Sequence, residues 1–163
     1  MSSYERIYLY TGGMDIKSVG IRIAEVIGAE ITHNRSGTFV TRAMISVPEG
    51  QVWGEVEENI FYENPPSVEH PSVIDLYDAR CSLRCSPRPD EFQEREAAKI
   101  FDEITQELPW PAVLTHADGD LLASAWAAKL GRTDFPPGTT PDEEDHELWR
   151  PYADPATLTQ PHD

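Results

Sequence analysis

The stretch that most constrains the fold is residues 30–83, where short β-type segments alternate with turn sequences. "EITHN" and "TFVTRAMISV" are joined by "RSG", which is typical of a short hairpin connection. "QVWGEVEENIFYE" (51–63) follows the turn "PEG", and "VIDLYDARCSL" (73–83) follows the proline-rich "NPPSVEHPS". Four successive strands of this kind predict an antiparallel meander with one buried face and one face in solvent.

Two amphipathic helices flank this meander. The first is predicted over residues 16–27, because apolar residues recur at helical spacing between a capping Asp15 and Gly28. The second is predicted to run from "SPRP" to Pro109, with Asp90 and Gln93 forming a capping box. Its apolar face would consist of Phe92, Ala97, Ile100, Phe101, Ile104 and Leu108.

Three further segments complete the expected order of elements. "YERIYLYT" (4–11) and "WPAVLTH" (110–116) are predicted strands. "DLLASAWAAKLG" (120–131) suits either a helix or a strand, and its Ala, Leu and Lys content favours a helix. The order predicts an α+β fold, in which two or three helices pack on one face of a mainly antiparallel sheet of about five to six strands.

The size of the chain favours one domain. Its 163 residues, 39% of them hydrophobic, are enough to bury a core of their own. From about Thr133 the sequence is rich in proline and includes an acidic run at 142–147. Four large side chains are expected to hold this segment against the domain, namely Phe135, Leu148, Trp149 and Tyr152. We therefore expect a single α+β domain over residues 1–152 and a flexible tail over residues 153–163.

The net charge is the strongest global signal. The chain has 29 Asp and Glu against 13 Lys and Arg, a formal charge of −16. This excess opposes direct binding of nucleic acid, which needs Lys and Arg to neutralise phosphates, and it favours solubility or attraction to a basic partner. The only cysteines, Cys81 and Cys85, lack disulfide or zinc-site spacing and are expected to be reduced. The sequence has no signal-peptide pattern and no long apolar run, so we expect a cytoplasmic protein that does not bind membranes.

Among the short motifs, "HADGD" (116–120) places His116, Asp118 and Asp120 around Gly119. These groups could hold a divalent ion if the fold supplied more ligands, but their spacing differs from that of a calcium loop. Asp and Gly also favour a turn, in which Asp120 could cap a following helix. The turn is the more economical interpretation, so no metal and no cofactor are predicted. Common catalytic motifs are also missing from the sequence, and an enzyme is not predicted.

The distribution of charge supplies the functional prediction. Between Ala43 and Ala79 there is no Lys or Arg, whereas the same window holds eight acidic residues interleaved with aromatic ones. A sheet face of this composition suits a basic protein partner, because aromatic side chains provide buried anchors and carboxylates pair with Lys or Arg. The alternative is an ordinary solvated face. The predicted partner-binding residues are Trp53, Glu55, Glu57, Glu58, Tyr62, Asp75, Tyr77 and Asp78, with the 142–149 segment as a possible addition.

Two parts of the chain resemble small bacterial immunity proteins of toxin–immunity systems. They are "EVIGAEI" with the hairpin "THNRSGTFVTRAMI", and the closing "FPPGTT…ELWRPY". Such proteins are intracellular, often acidic single domains that bind and block a cognate toxin. The resemblance thus implies an antitoxin-like protein that binds and inhibits a toxin domain. Two other classes stay open: an acidic mimic of nucleic acid that inhibits a DNA-binding enzyme, and a small metal-dependent hydrolase that uses His116, Asp118 and Asp120.

Overall fold

A single antiparallel sheet organises the fold. The computed structural model describes residues 3–158, except Ser46, Ser67, Arg88 and Pro89, and describes Asp90 by its backbone alone. Within these residues the strands are β1 (Glu5–Leu9), β2 (Glu30–Asn34), β3 (Gly37–Ala43), β4 (Gln51–Glu58), β5 (Ala79–Ser86), β6 (Ala112–His116), β7 (Leu121–Ala127) and β8 (Gly131–Asp134). The α+β class is confirmed, but the described sheet has 8 strands rather than five to six.

The strand order places the first strand of the chain in the middle of the sheet. The order is β2-β3-β4-β5-β1-β6-β7-β8, and all neighbouring pairs are antiparallel. Strand β1 therefore joins two meanders, β2–β5 on one side and β6–β8 on the other. The meander predicted from the sequence is the first of these.

The first helix, α1 (Ile16–Ile27), begins and ends as predicted. The Asp15 carboxylate accepts a hydrogen bond from the Ser18 backbone N–H at 3.1 Å, which satisfies a donor that the first helical turn leaves free. Gly28 adopts the left-handed conformation, with φ of 67°, that commonly ends a helix. The buried side chains of α1, including Val19 and Ile23, pack against β2, β3 and β4.

The second helix, α2 (Asp90–Glu107), packs against β1, β5 and β6. Its predicted apolar face is confirmed, since Ala97, Ile100, Phe101, Ile104 and the following Leu108 are buried and Phe92 is partly buried against them. The Asp90 half of the predicted capping box lies outside the described side chains. Gln93 accepts a hydrogen bond from the Cys85 backbone N–H at 3.0 Å and donates to the Ser3 carbonyl at 2.8 Å. Gln93 thus ties the helix to β5 and to the start of β1.

The two faces of the sheet bury different cores. Helices α1 and α2 cover one face along strands β1 to β6, where the first core includes Ile7, Leu9, Val52, Leu83 and Leu114. The second core, on the opposite face, lies against β1, β6 and β7 and includes Tyr8, Val113 and Ala125. It is closed by Tyr77, Trp149, Tyr152 and Leu158. Helices were expected on one face, but the second core was not predicted.

Three segments differ from the sequence-based expectation. Leu121–Ala127 forms strand β7, the predicted alternative to the favoured helix, because β7 pairs with β6 on one side and β8 on the other, and this pairing outweighs a weak helix propensity. The predicted strand 51–63 ends at Glu58. The predicted strand 73–83 is split: Val73–Leu76 is a 3₁₀ helix, and the strand begins only at Ala79.

The C-terminal segment packs against the second core. Phe135, Trp149 and Tyr152 are buried as predicted, whereas Leu148 is 47% exposed. Two short helices, α3 (His146–Trp149) and α4 (Pro155–Leu158), follow β8. Leu158 is 1% exposed and so lies inside the domain, past the boundary predicted at residue 152, while residues 159–163 lie outside the described chain. No helix within the described residues is long and apolar enough to cross a membrane.

Candidate protein-binding face

The candidate site is the side of β3, β4 and β5 that points away from α1 and α2, together with the adjoining start of β1. We call this surface the open face, and its residues are Phe39, Thr41, Trp53, Glu55, Glu57, Arg80, Ser82, Arg84, Tyr4 and Arg6. Alternation along β4 buries Val52, Gly54 and Val56 and turns the residues between them outward. The predicted division of β4 into two faces is therefore confirmed.

An aromatic surface occupies one end of the open face. Trp53 is 43% exposed and its ring centroid lies 5.8 Å from that of Phe39 on the neighbouring strand. The register places Arg84 directly across from Trp53. The Arg84 guanidinium lies 4.7 Å from the centroid of the Tyr4 ring and donates a hydrogen bond to the Tyr4 hydroxyl at 2.9 Å. Neighbouring side chains thus hold these rings in place while leaving apolar surface in solvent.

Two carboxylates on the open face have different surroundings. Glu57 forms an ion pair with Arg80, at 2.7 Å between Oε1 and Nε. Glu55 lies between Phe39 and Ser82 in the register and has no hydrogen bond or ion pair within the described residues. Partial burial, and then the nearby charge of Glu57, raise the pKa of the Glu55 carboxyl. A partly desolvated carboxylate without a partner is a group that an incoming cation would stabilise.

The open face carries both signs of charge, which corrects the prediction of an acidic face. The base-free window ends at Ala79, and the next residue is Arg80. Strand β5 brings Arg80 and Arg84 beside β4, and Arg6 follows on β1. Three arginines therefore accompany Glu55 and Glu57. The base-free window is a property of consecutive residues, whereas the open face consists of residues from neighbouring strands, which include these arginines.

Five of the eight predicted partner-binding residues lie elsewhere. Glu58 and Tyr62 are exposed but line a separate depression with Gly13 and Asp78. Asp75 is 7% exposed, within the 3₁₀ helix, and Tyr77 is fully buried. The expectation that these side chains share a face with Trp53 is wrong, because β4 ends at Glu58, before Tyr62, and residues 73–78 precede β5.

Tyr77 and Asp78 have structural roles instead. The Tyr77 hydroxyl donates a hydrogen bond to the Tyr152 carbonyl at 2.8 Å, which ties the C-terminal segment to the second core. The Asp78 carboxylate accepts a hydrogen bond from the Thr11 backbone N–H at 2.7 Å, which holds the turn before α1. The Tyr77 pKa is raised by burial and then by the neighbouring Tyr152.

Sequence reasoning missed several residues of the site. Alternation within "TFVTRA" could have placed Phe39 on the open face, but Tyr4, Arg6 and Arg84 join it only through strand register. Phe61 is 55% exposed and lies in a depression shared with Arg6 and Tyr8, at the border of the open face. The 142–149 segment contributes Asp142 to the same depression, so one end of it reaches this border.

The "HADGD" motif forms a turn, as predicted. Ala117–Gly119 is a 3₁₀ helix that connects β6 to β7, and Asp120 precedes a strand rather than capping an α-helix. The Asp118 Oδ1 accepts a hydrogen bond from the Tyr4 backbone N–H at 2.7 Å, while His116 lies beside Glu5. Within the described residues, no group of three metal-ligating side chains includes Asp118 or Asp120.

The cysteines offer no reactive thiolate. Cys81 and Cys85 are free and buried on the helix side of β5, which confirms the expected absence of a disulfide between them. Burial, followed by nearby carboxylates, raises the pKa of both thiols to about 12. Both groups therefore stay protonated and unreactive at neutral pH.

Comparison with known proteins adds no relative. No protein-family model, curated protein or solved structure matches the chain. The assignment of function therefore depends on the geometry and chemistry of the open face.

Proposed function

We propose that the protein is a non-enzymatic binding module, an immunity protein that binds and inhibits the toxin domain of a cognate bacterial toxin in the cytoplasm. The open face would form the contact, and the partner would present a basic surface. One observation carries the proposal: the exposed Trp53 ring and the half-buried Phe39 ring lie beside the Glu55 carboxylate, which has no partner among the described residues, on a half of the sheet that the described residues leave uncovered.

The open face has the composition of an interface centre. Aromatic and arginine side chains contribute most to binding energy in protein interfaces, where they become fully desolvated. Trp53, Phe39 and Arg84 supply such side chains within one patch. A Lys or Arg of the partner placed at Glu55 would pair with a carboxylate that folding has already partly desolvated.

The face is also preorganised. Two guanidinium groups contact the Tyr4 ring, with Arg84 at 4.7 Å and Arg6 at 5.6 Å from its centroid. The ion pair between Glu57 and Arg80 holds the adjoining row of side chains. Side chains that are already ordered lose less conformational entropy when a partner binds.

The net charge adds long-range attraction. The chain carries −16, so a basic toxin domain would be steered towards it even though the open face itself contains arginines. Electrostatic steering acts on the association rate and weakens as salt screens it. We therefore expect the association rate to fall with increasing ionic strength.

The test uses the C-terminal domain of the protein encoded by the neighbouring upstream gene as the candidate toxin. We expect the wild-type protein to form a complex with this domain and to restore growth when the two are co-expressed. The double variant Trp53→Ala/Glu55→Lys should weaken the complex by roughly 100-fold, because both changes fall on hot-spot candidates. The matched control, Tyr62→Ala/Glu58→Lys, removes one exposed aromatic ring and reverses one charge away from the open face, and it should bind within about threefold of wild type.

Three results would contradict this proposal. Unchanged binding by the Trp53/Glu55 double variant would show that the open face is not the contact. An equal loss in the Tyr62/Glu58 control would place the contact at the other depression. Displacement of the protein from its partner by duplex DNA would favour the nucleic-acid mimic instead.

A further inference from the structure

Three elements bring potential metal ligands to one point on the helix side of the sheet. Glu5 is the first residue of β1, His116 is the last residue of the neighbouring β6, and Glu94 lies near the start of α2, which packs over both strands. One ligand atom from each side chain can be chosen such that all three lie within 4.8 Å of one another. None of these residues belongs to the open face.

Glu5 is held in position at this point. Its side chain is only 4% exposed, and Oε2 accepts a hydrogen bond from the Gln93 side-chain amide. Gln93 is itself fixed by the backbone of Cys85 and Ser3. This arrangement leaves Oε1 directed towards His116. Supporting hydrogen bonds of this kind orient ligands at metal sites.

His116 supplies a second observation. Its Nδ1 atom is buried and has no hydrogen-bond partner in the described structure, although it lies 3.4 Å from Glu5 Oε1. A buried imidazole nitrogen that makes no hydrogen bond is unfavourable. Two ligands bound to one zinc ion at about 2.1 Å in tetrahedral geometry lie roughly 3.4 Å apart. The observed separation is therefore long for a hydrogen bond and suits two ligands of a shared ion.

We propose that Glu5, Glu94 and His116 bind a divalent transition-metal ion, with zinc as the best match to one imidazole nitrogen and two carboxylate oxygens. The exposed Glu94 gives the ion access from solvent, and three protein ligands leave a fourth position for water. The bound ion would connect β1, β6 and α2. Asp118 and Asp120, the partners that the sequence suggested for His116, have no part in this site.

The test titrates the full-length chain, first stripped of metal with a chelator, with Zn²⁺ by calorimetry. We expect one ion per chain and an affinity at least about tenfold lower in Glu94→Gln and in His116→Gln. Glu91→Gln is the matched control, since Glu91 is exposed on the same helix, and it should bind as wild type does. Asp118→Asn should also retain binding.

Thermal unfolding gives an independent measurement. Zn²⁺ should raise the Tm of wild type and Glu91→Gln, because the ion binds the folded chain preferentially, and it should leave the Tm of Glu94→Gln nearly unchanged. Because Glu94 is exposed, we expect Glu94→Gln to fold as wild type does. The proposal fails if wild type shows no stoichiometric zinc binding, if Glu94→Gln and His116→Gln bind as tightly as wild type, or if Asp118→Asn loses as much affinity as His116→Gln.

Discussion

The sheet face opposite α1 and α2 has two halves, one buried and one exposed to solvent. Against β1, β6 and β7, the side chains opposite the helices are buried beneath the 3₁₀ helix Val73–Leu76 and the C-terminal segment. Across β3, β4 and β5, the corresponding side chains form the open face. A single row of paired residues crosses the boundary, from Glu57 through Arg80 and Tyr8 to Val113. Strand alternation alone therefore does not decide whether a residue that points away from α1 and α2 is buried or exposed.

The difference follows from what each half presents to its surroundings. The covered half offers Tyr8, Val113 and Ala125 to the covering segments, and burial of such side chains stabilises the fold by about 25 cal/mol per Å² of apolar surface. The open half presents Glu55 and Arg84 among its aromatic rings, and covering them without partners would cost free energy. A surface of this kind is stable in solvent and suited to a partner that supplies the missing contacts.

The largest expected effect compares two tryptophans, one in each half. Trp149 is 1% exposed in the second core, whereas Trp53 is 43% exposed on the open face. Trp149→Ala should lower the free energy of unfolding by about 3–5 kcal/mol because it leaves a cavity. Trp53→Ala should lower it by only about 1 kcal/mol, since it removes the cross-strand contact with Phe39 but leaves no buried cavity. Urea denaturation followed by circular dichroism measures both values, and equal losses would abolish the distinction between the halves.

A smaller effect is expected from one hydroxyl group in the covered half. Tyr77→Phe removes the hydrogen bond to the Tyr152 carbonyl and should cost about 1 kcal/mol of unfolding free energy, since the buried carbonyl loses its donor. Tyr62→Phe, at an exposed tyrosine, is the control and should be close to neutral. A neutral result for Tyr77→Phe would show that this hydrogen bond contributes little to holding the C-terminal segment, which is also bonded through the Tyr152 hydroxyl to the Gly131 carbonyl.

The smallest expected effect concerns pH and compares a carboxyl group from each half. Burial raises the pKa of Asp75 above its ordinary value of 3.8, so folding favours its protonated form. Its stabilising contribution is fully present below pH 3.8 and is lost as pH rises through the folded-state pKa. The free energy of unfolding of Asp75→Asn should therefore fall less than that of wild type as pH rises from about 4. The Asn side chain keeps an oxygen that can accept the hydrogen bond from the Ser72 N–H.

Glu55 should behave in the same direction with a smaller amplitude. Its pKa is also raised, but the side chain is only half-buried and solvent screens its charge. Urea denaturation across the acidic range compares Asp75→Asn and Glu55→Gln with wild type. A larger effect from Glu55 would mean that the open face is more strongly desolvated than its exposure indicates.

The local elements could be read from the sequence where a single segment carries the whole signal. Helix α1 has its apolar face, its Asp15 cap and its Gly28 end within a few residues of one another. The β2–β3 hairpin and the two faces of β4 likewise follow from turn residues and alternation. In contrast, the sequence of β7 allows a helix or a strand and slightly favours the helix, because the strand partners that decide the outcome are supplied by β6 and β8.

The candidate site was only partly predictable for the same reason. Trp53, Glu55 and Glu57 share one strand, so their common face follows from period-2 alternation. Tyr4, Arg6 and Arg84 reach them through the pairing of β4 with β5 and of β5 with β1. His116 and Glu5 are 111 positions apart in the chain and meet only because β1 and β6 are neighbours.

The sequence by itself thus determined the α+β class, the two long helices and the outward direction of Trp53, Glu55 and Glu57, because these depend on local periodicity and capping. The tertiary structure decided the insertion of β1 between the two meanders, the burial of Tyr77 and the placement of three arginines beside the acidic window. Those outcomes depend on strand order and on which segment covers which half of the sheet. Such contacts join residues far apart in the chain, and no local pattern encodes them.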